Sequence, residues 1–276
     1  MELGVMTTVS EILKESHELG LPRRDAELVI CHTLNISYER CLSHPEHILS
    51  SDEQRACRIN LKRLQDNESV AAIRGAREFY SLDFVVNRDV LVPRPETEAL
   101  VEYIIRESPE NAVMLDIGTG SGCIAISVAK NRPDIHVTAI DASSKALRVA
   151  TRNAESNDVA SQITFLKSNL LKNLPQQQFD VIAANLPYLD PSWAHPTTQH
   201  EPPEALFAGE NGLELYLQLL PQLKDYMHKT THIILEADPR NIEALADSFK
   251  EIYPKMNTST RKDDSNKLRF LTAQHG

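Results

Sequence analysis

Along the first part of the chain the apolar positions recur at helical spacing: Ile12 with Leu13, Leu28 with Val29, and Ile59 with Leu61 and Leu64. That spacing predicts a bundle of short helices over residues 8–65, with Thr8 or Ser10 as a start signal and Gly20 as a stop. No cluster of catalytic residue types falls inside it, so recognition of a partner is its expected task. Between Glu78 and Val92 the pattern changes to β-formers, Phe79, Tyr80, Leu82, Phe84, Val85 and Val86, then Val90, Leu91 and Val92, on either side of the polar Asn87, Arg88 and Asp89. This predicts a hairpin turning at residues 87–89. Pro93 and Pro95 then fix an extended approach to a helix that runs to about Glu107, with Glu96 to Glu98 in its first turn.

From Val113 onward strand and helix patterns alternate. Strands are expected at Val113 to Ile117, Ile135 to Ile140, Ile163 to Leu166, Phe179 to Ala184 and His232 to Glu236, with two closing strands near Tyr253 to Thr260 and Lys267 to Thr272. Helices are expected from Cys123, over Ser143 to Asn157, over Leu213 to Met227 and over Asn241 to Ile252, with a long loop ending near Gly209. Such alternation predicts an α/β fold with a seven-stranded, mostly parallel, Rossmann-like sheet and ligand sites at the strand C-termini. The expected organisation is a helical domain over residues 1–76, a β-hairpin linker over 77–92 and a sheet domain over 93–276.

Composition narrows the field. The 276 residues carry a formal net charge of -10, which argues against direct nucleic-acid binding by the whole surface, because phosphate contacts need clustered Lys and Arg. The one basic cluster, Arg55, Arg58, Lys62 and Arg63, reads as a solvated helix face. Cys31, Cys41, Cys57 and Cys123 form no C-x-x-C pair and have no histidines at zinc spacing, so reduced, structural thiols and no metal are expected. His195 and His200 stand five apart in a Pro-rich loop, a poor metal pair. No apolar run spans a bilayer and no signal segment opens the chain, so a cytoplasmic, monomeric protein without membrane contact is expected.

The chemistry concentrates at three strand ends. Gly118, Thr119, Gly120, Ser121 and Gly122 follow Asp116 and Ile117 as a glycine loop that lets backbone approach a ligand. A dinucleotide fingerprint would place its third glycine at position 123, where Cys123 stands, so Gly118, Gly120 and Gly122 fit a methyl-donor loop better. Asp141 ends the second strand where an acid accepts from a ribose, or else caps the next helix. After the third strand, Ser168, Asn169 and Leu170 are placed to meet an adenine, Asn169 by a hydrogen bond and Leu170 by apolar contact. After the fourth come Asn185, Leu186, Pro187 and Tyr188. A planar nitrogen with a delocalised lone pair is a poor nucleophile and must be oriented. The Asn185 side-chain oxygen and the Leu186 carbonyl could take both of its hydrogens, Pro187 would stiffen the turn, and Tyr188 would offer a face for stacking. No G-x-S-x-G elbow competes.

These residues resemble the protein-(glutamine-N5) methyltransferases of the HemK or PrmC type, which modify peptide chain release factors in translation termination. The likeness covers nearly the whole chain: Arg23 to Leu28, Gly75 with Glu78 and Phe79, Val92 to Glu98, Asp116 to Gly122, and Glu201 to Leu213. The resemblance implies S-adenosylmethionine as donor, with S-adenosylhomocysteine as product, held by Gly118 to Gly122, Asp141, Leu170 and Asn185. It also implies a release-factor glutamine, the one in the GGQ motif, as acceptor. Two positions depart from the family pattern. Leu186 replaces the first proline of Asn-Pro-Pro-Tyr, a form that also resembles rRNA adenine dimethyltransferases, and Asn169 replaces an acid. The competing readings are a DNA or RNA amino-group methyltransferase, which the Leu186 form favours, and a non-catalytic adapter, which the intact Gly118, Gly120, Asp141 and Asn185 oppose.

Overall fold

The computed structural model describes residues 7–275, apart from the side chains of Thr197 and Glu210, and divides into two compact units. The first comprises residues up to Gly75 together with His195–His200. Its helices are α1 (Val9–Glu18), α2 (Arg23–Leu34), α3 (Tyr38–Ser43), α4 (Ser51–Gln65) and α5 (Val70–Arg74). Reciprocal capping boxes start α1, between Thr8 and Glu11, and α4, between Ser50 and Glu53, each satisfying backbone donors that a helix start leaves open. Val9, Ile12, Val29, Ile30, Cys41, Cys57 and Leu61 form the core. Ile59, expected to share the Leu61 face, is instead exposed, because it lies two residues from Leu61 and so on the opposite side of α4. Arg55, Arg58, Lys62 and Arg63 also stand on α4, and each meets a carboxylate, that of Asp52, Glu15, Asp66 and Glu68 respectively.

The second unit opens with a hairpin, β1 (Ala76–Phe79) and β2 (Leu82–Val85), in which Phe79 pairs with Leu82. The turn is therefore Tyr80-Ser81 and not residues 87–89 as the polarity pattern predicts. Both turn residues have positive φ, 50° and 58°, the twist that a two-residue hairpin requires. Neither residue type favours positive φ, and Glu98 Oε1 supports the turn by accepting the Tyr80 N–H at 2.9 Å. Asn87 closes a separate side-chain turn on the Asp89 N–H, and the following Val90 and Val92 are buried but belong to no strand. Two asparagines from later in the chain stitch the hairpin down: Asn153 exchanges both amide bonds with the Val85 backbone, and Asn157 donates to the Asp83 carbonyl.

After a 3-10 turn at Pro95–Thr97 come α6 (Glu98–Glu107), β3 (Val113–Ile117), α7 (Cys123–Asn131), β4 (His136–Asp141), α8 (Ser144–Ser156), β5 (Ile163–Lys167) and β6 (Phe179–Ala184). Beyond the long loop stand α9 (Glu214–Leu219), β7 (Met227–Glu236), α10 (Ile242–Ile252), β8 (Met256–Lys262) and β9 (Leu268–His275). The helix expected over 213–227 stops early because Pro221 has no N–H to continue it, and a 3-10 segment over Leu220–Asp225 leads into a longer β7 than predicted.

The seven strands run in the order β5-β4-β3-β6-β7-β9-β8, with β9 antiparallel to both neighbours and the rest parallel. Both faces are covered, which is why β3 and β6 read as almost unbroken apolar runs. Strand order reverses between β3 and β6, and a crevice opens at their C-terminal ends. Ile117 and Ala184 are register partners there, so the segments that follow them leave the sheet side by side. Among the described residues no helix is long and apolar enough to cross a membrane.

Candidate active site

The crevice is a cavity bordered by Gly118 to Ser121, Cys123, Asp141, Asn169, Leu170, and Asn185 to Pro187, with Arg94, Thr97 and Pro202 also on its wall. The sequence-predicted residues converge here, save two: Gly122 supports the loop from behind, and Tyr188 does not line the space.

The glycine loop is shaped by its own backbone. Gly118, Gly120 and Gly122 all have positive φ, and the Gly118 and Thr119 N–H groups both donate to the Ile140 carbonyl at 2.9 Å. A Cβ on Gly118 would stand 2.8 Å from Leu186 Cδ2, and one on Gly122 would stand 2.8 Å from Ile126 Cδ1 and 3.2 Å from the Ala150 Cβ. The positive φ at both positions strains any side chain, and a Cβ would also oblige the Leu186 or Ile126 side-chain tip to move. Asp141 does more than end its strand: Oδ2 accepts the Gly120 N–H at 2.9 Å and Oδ1 the Ser143 N–H at 2.8 Å. It thus clamps the loop to the start of α8 while facing the cavity, and burial holds its pKa above the ordinary value. Beneath, Asp116 is wholly buried and bonded by the Thr119 hydroxyl, and desolvation pushes it up to about 7. Burial pushes the Cys123 thiol up to about 12, which disfavours the thiolate.

Leu170 sits in the left-handed region at φ 51°. For a branched side chain that costs on the order of 1–2 kcal/mol, and the Ser168 hydroxyl bond to the Leu170 carbonyl, at 2.6 Å, helps to hold it. The Asn169 side chain is exposed and makes no hydrogen bond among the described residues, so its amide is available to a ligand.

The other wall is made by side chains from distant parts of the chain. Asn185 Nδ2 donates to Thr97 Oγ1 at 3.1 Å, and Thr97 Oγ1 donates to Glu236 Oε1 at 3.2 Å. The Leu186 N–H donates to the Tyr216 hydroxyl at 3.1 Å, and that hydroxyl in turn donates to the Glu236 main-chain carbonyl. Two acceptors are left over: among the described residues none donates a hydrogen bond to Asn185 Oδ1 or to the Leu186 carbonyl. Tyr188 is turned the other way. Its phenol donates to Glu236 Oε1 at 3.3 Å, so in place of the stacking face expected of it, it braces the carboxylate. Burial, with help from Glu96, pushes Glu236 up to about 7 against the opposing pull of Thr97, Arg269 and Tyr188.

Sequence reading missed Thr97, Glu236 and Tyr216. The available signal for Glu236 was a carboxylate closing an apolar strand, where an unpaired charge has no reason to be. Arg94 was also passed over; it pairs with the buried Glu201 at 2.6 Å, and Glu201 accepts the Val92 N–H as well. Among the described residues no group of three or more His, Cys, Asp or Glu is placed to hold a metal ion.

Residues 5–75 match the PrmC N-terminal domain, and residues 95–201 the methyltransferase small domain. A release factor glutamine methyltransferase of Coxiella burnetii is 34% identical, in a match covering 92% of this chain and 92% of that protein. The chain belongs to the release factor glutamine methyltransferase family. A bifunctional methyltransferase of Rickettsia bellii is 31% identical over 90% of this chain, and the chain spans about half, 51%, of that longer relative. In fold, a methyltransferase from Pyrococcus furiosus aligns with a TM-score of 0.54 at 21% identity, covering 77% of this chain and 95% of that one. The methyl donor of this family is S-adenosylmethionine. The residues present suit it: a side-chain-free cradle at Gly118, an inward-facing carboxylate at Asp141 and an unpaired amide at Asn169.

Proposed function

We propose that this protein methylates the side-chain amide nitrogen of a glutamine in a peptide chain release factor. The observation that carries the reading is the pair of unpaired acceptors, Asn185 Oδ1 and the Leu186 carbonyl, at the rim of a cavity whose other wall suits the donor. S-adenosylmethionine supplies, when bound, an electrophilic methyl on a positively charged sulfur. Gly118 to Gly122 and Asp141 would hold it, with Asn169 and Leu170 at its adenine. The protein's part is to orient a reluctant nucleophile. An amide NH2 has two hydrogens, and two fixed acceptors define the plane in which they lie, leaving the nitrogen face turned to the cavity. Orientation of that kind can contribute several kcal/mol, and acceptor dipoles stabilise the positive charge that develops on nitrogen.

An exocyclic amino group of adenine presents the same two hydrogens, so the acceptor pair alone does not choose between amide and base. The family relationship and the net charge of -10 favour the protein substrate. The helical unit, which matches the PrmC N-terminal domain, would then dock the release factor, and the protein would act as a cytoplasmic monomer. Intact-mass measurement of a release factor after incubation with enzyme and donor tests this. One added methyl on a glutamine is expected, and label appearing only in RNA would overturn it.

A further inference from the structure

Asn185 is ambidextrous. Rotating its amide by half a turn exchanges one acceptor for two donors with little change of shape. An acceptor role at the cavity therefore needs something that forbids the flipped amide. Behind Asn185 stands Thr97, whose hydroxyl has a single proton, and that proton goes to Glu236. Only lone pairs remain for Asn185, which must offer Thr97 its NH2 side and keep its oxygen for the cavity.

We propose that Thr97 and Glu236 are positioning residues for methyl transfer, a hydrogen-bond chain that starts at a buried carboxylate and fixes which face of the Asn185 amide meets the substrate nitrogen. The inference rests on the reading of the site given above and adds to it the origin of the acceptor's polarity. The direction of the chain is set at Glu236, fully buried at the end of β7, with Oε1 shared by Thr97 and Tyr188 and Oε2 without a hydrogen-bond partner. Ionised, Glu236 can only accept, and the chain runs one way. Protonated, it can donate to Thr97, which frees the Thr97 proton for the Asn185 oxygen and lets the amide present its NH2 to a substrate that also brings donors.

The charged and titratable groups around Glu236 divide. Glu96, in the turn before α6, opposes its ionisation together with burial, whereas Arg269 on β9 and the Thr97 and Tyr188 hydroxyls favour it. Tyr216 of α9 engages only its main-chain carbonyl, and Cys123 of α7 stays a neutral thiol. The balance falls at about 7, so the chain reverses within reach of ordinary conditions.

The test compares wild type, Thr97→Val, Thr97→Ser and Glu236→Gln for kcat and KM on a release factor. It adds donor binding by calorimetry, thermal melting, and hydrogen exchange of the Asn185 side-chain amide by NMR without substrate. Thr97→Val, which keeps the shape and removes the hydroxyl, should lower kcat about 10- to 100-fold. Donor affinity should stay within about threefold, because the donor cradle does not depend on Thr97. Thr97→Ser should recover most of the loss. Wild-type kcat should fall as pH drops through about 7, and that limb should be absent from Glu236→Gln. The Asn185 amide should exchange slowly in wild type and Thr97→Ser and lose that protection in Thr97→Val. Should Thr97→Val fail to fold, the Thr97→Ser amide signal and the Glu236→Gln pH profile carry the decision. The proposal is overturned by Thr97→Val turning over within about twofold of wild type, by Thr97→Ser being as impaired as Thr97→Val, or by an unchanged acid limb in Glu236→Gln. A wild-type protein that leaves release factors unmethylated yet protects the Asn185 amide through Thr97 would support the chain and count against the acceptor reading alone.

Discussion

The two walls of the cavity are built by different means. The donor wall is a continuous stretch of backbone, Gly118 to Gly122, pinned to the neighbouring strand end by Asp141, and its shape depends on where side chains are missing. The acceptor wall depends on where side chains are present: Asn185 and Leu186 are held by Thr97, Glu236 and Tyr216, which reach them from other strands and helices. A wall made of backbone tolerates changes around it but not within it. A wall made of hydrogen bonds can be broken at any member, including members that touch no ligand.

Removing the acceptor itself should have the largest effect. Asn185→Ala deletes one of the two oxygens and should lower kcat about 10²- to 10³-fold, with a donor-affinity loss of less than about tenfold despite the donor contact that the family resemblance implies for Asn185, which steady-state kinetics and calorimetry would separate. A parallel loss of donor affinity would mean that the two walls are not independent. Next comes Gly118→Ala, where the new Cβ meets Leu186 Cδ2 at 2.8 Å in a backbone conformation that disfavours it. This change should weaken donor binding about tenfold or more. Adding Leu186→Ala should recover part of that loss by removing the clash and leave the conformational part.

A smaller effect tests the departure from the family motif. Leu186 brings a backbone N–H that a proline lacks, and Tyr216 satisfies it. Tyr216→Phe should therefore cost about 1–3 kcal/mol of stability by leaving a buried donor unpaired. In a Leu186→Pro background the same change should cost less, and a double-mutant cycle by denaturant unfolding reads the difference. Additive costs would show that Tyr216 serves only its other partners, the Ala184 and Glu236 carbonyls.

A last effect, on stability and not on turnover, is shared by both walls. Asp116 and Glu236 are each pushed up to about 7 by burial. The folded protein then holds protons that the unfolded chain releases in the ordinary carboxylate range. This contribution to stability is complete below that range and is lost as pH rises through about 7. Melting temperature should decline over that window as turnover increases, and Glu236→Gln should flatten part of the decline.

The contrast between the walls also explains what could be read from the chain. The glycine loop, Asp141 and the Asn185 to Tyr188 segment are contiguous stretches after apolar strands, so period and turn chemistry find them together with the alternating sheet. The partners of Asn185 are not contiguous: Thr97 lies 88 residues before it, and Glu236 lies 139 residues after Thr97. Only β3, β6 and β7 standing side by side bring that strand end together with Glu236. Tyr188 was misplaced for the same reason, since a stacking face and a brace for a buried carboxylate ask for the same side chain. The hairpin turn was hidden differently. Tyr80 and Ser81 take positive φ although neither residue type favours it, and their support comes from Glu98 in the next helix.

The central claim is that a planar NH2 is held by Asn185 Oδ1 and the Leu186 carbonyl together. A crystal structure of the protein with S-adenosylhomocysteine and a glutamine-bearing release factor domain tests it most directly. The account predicts the glutamine nitrogen within hydrogen-bonding distance of both oxygens, with Asn185 Nδ2 still on Thr97. A glutamine nitrogen bonded to neither oxygen, or an Asn185 amide with its NH2 side toward the substrate, would contradict it.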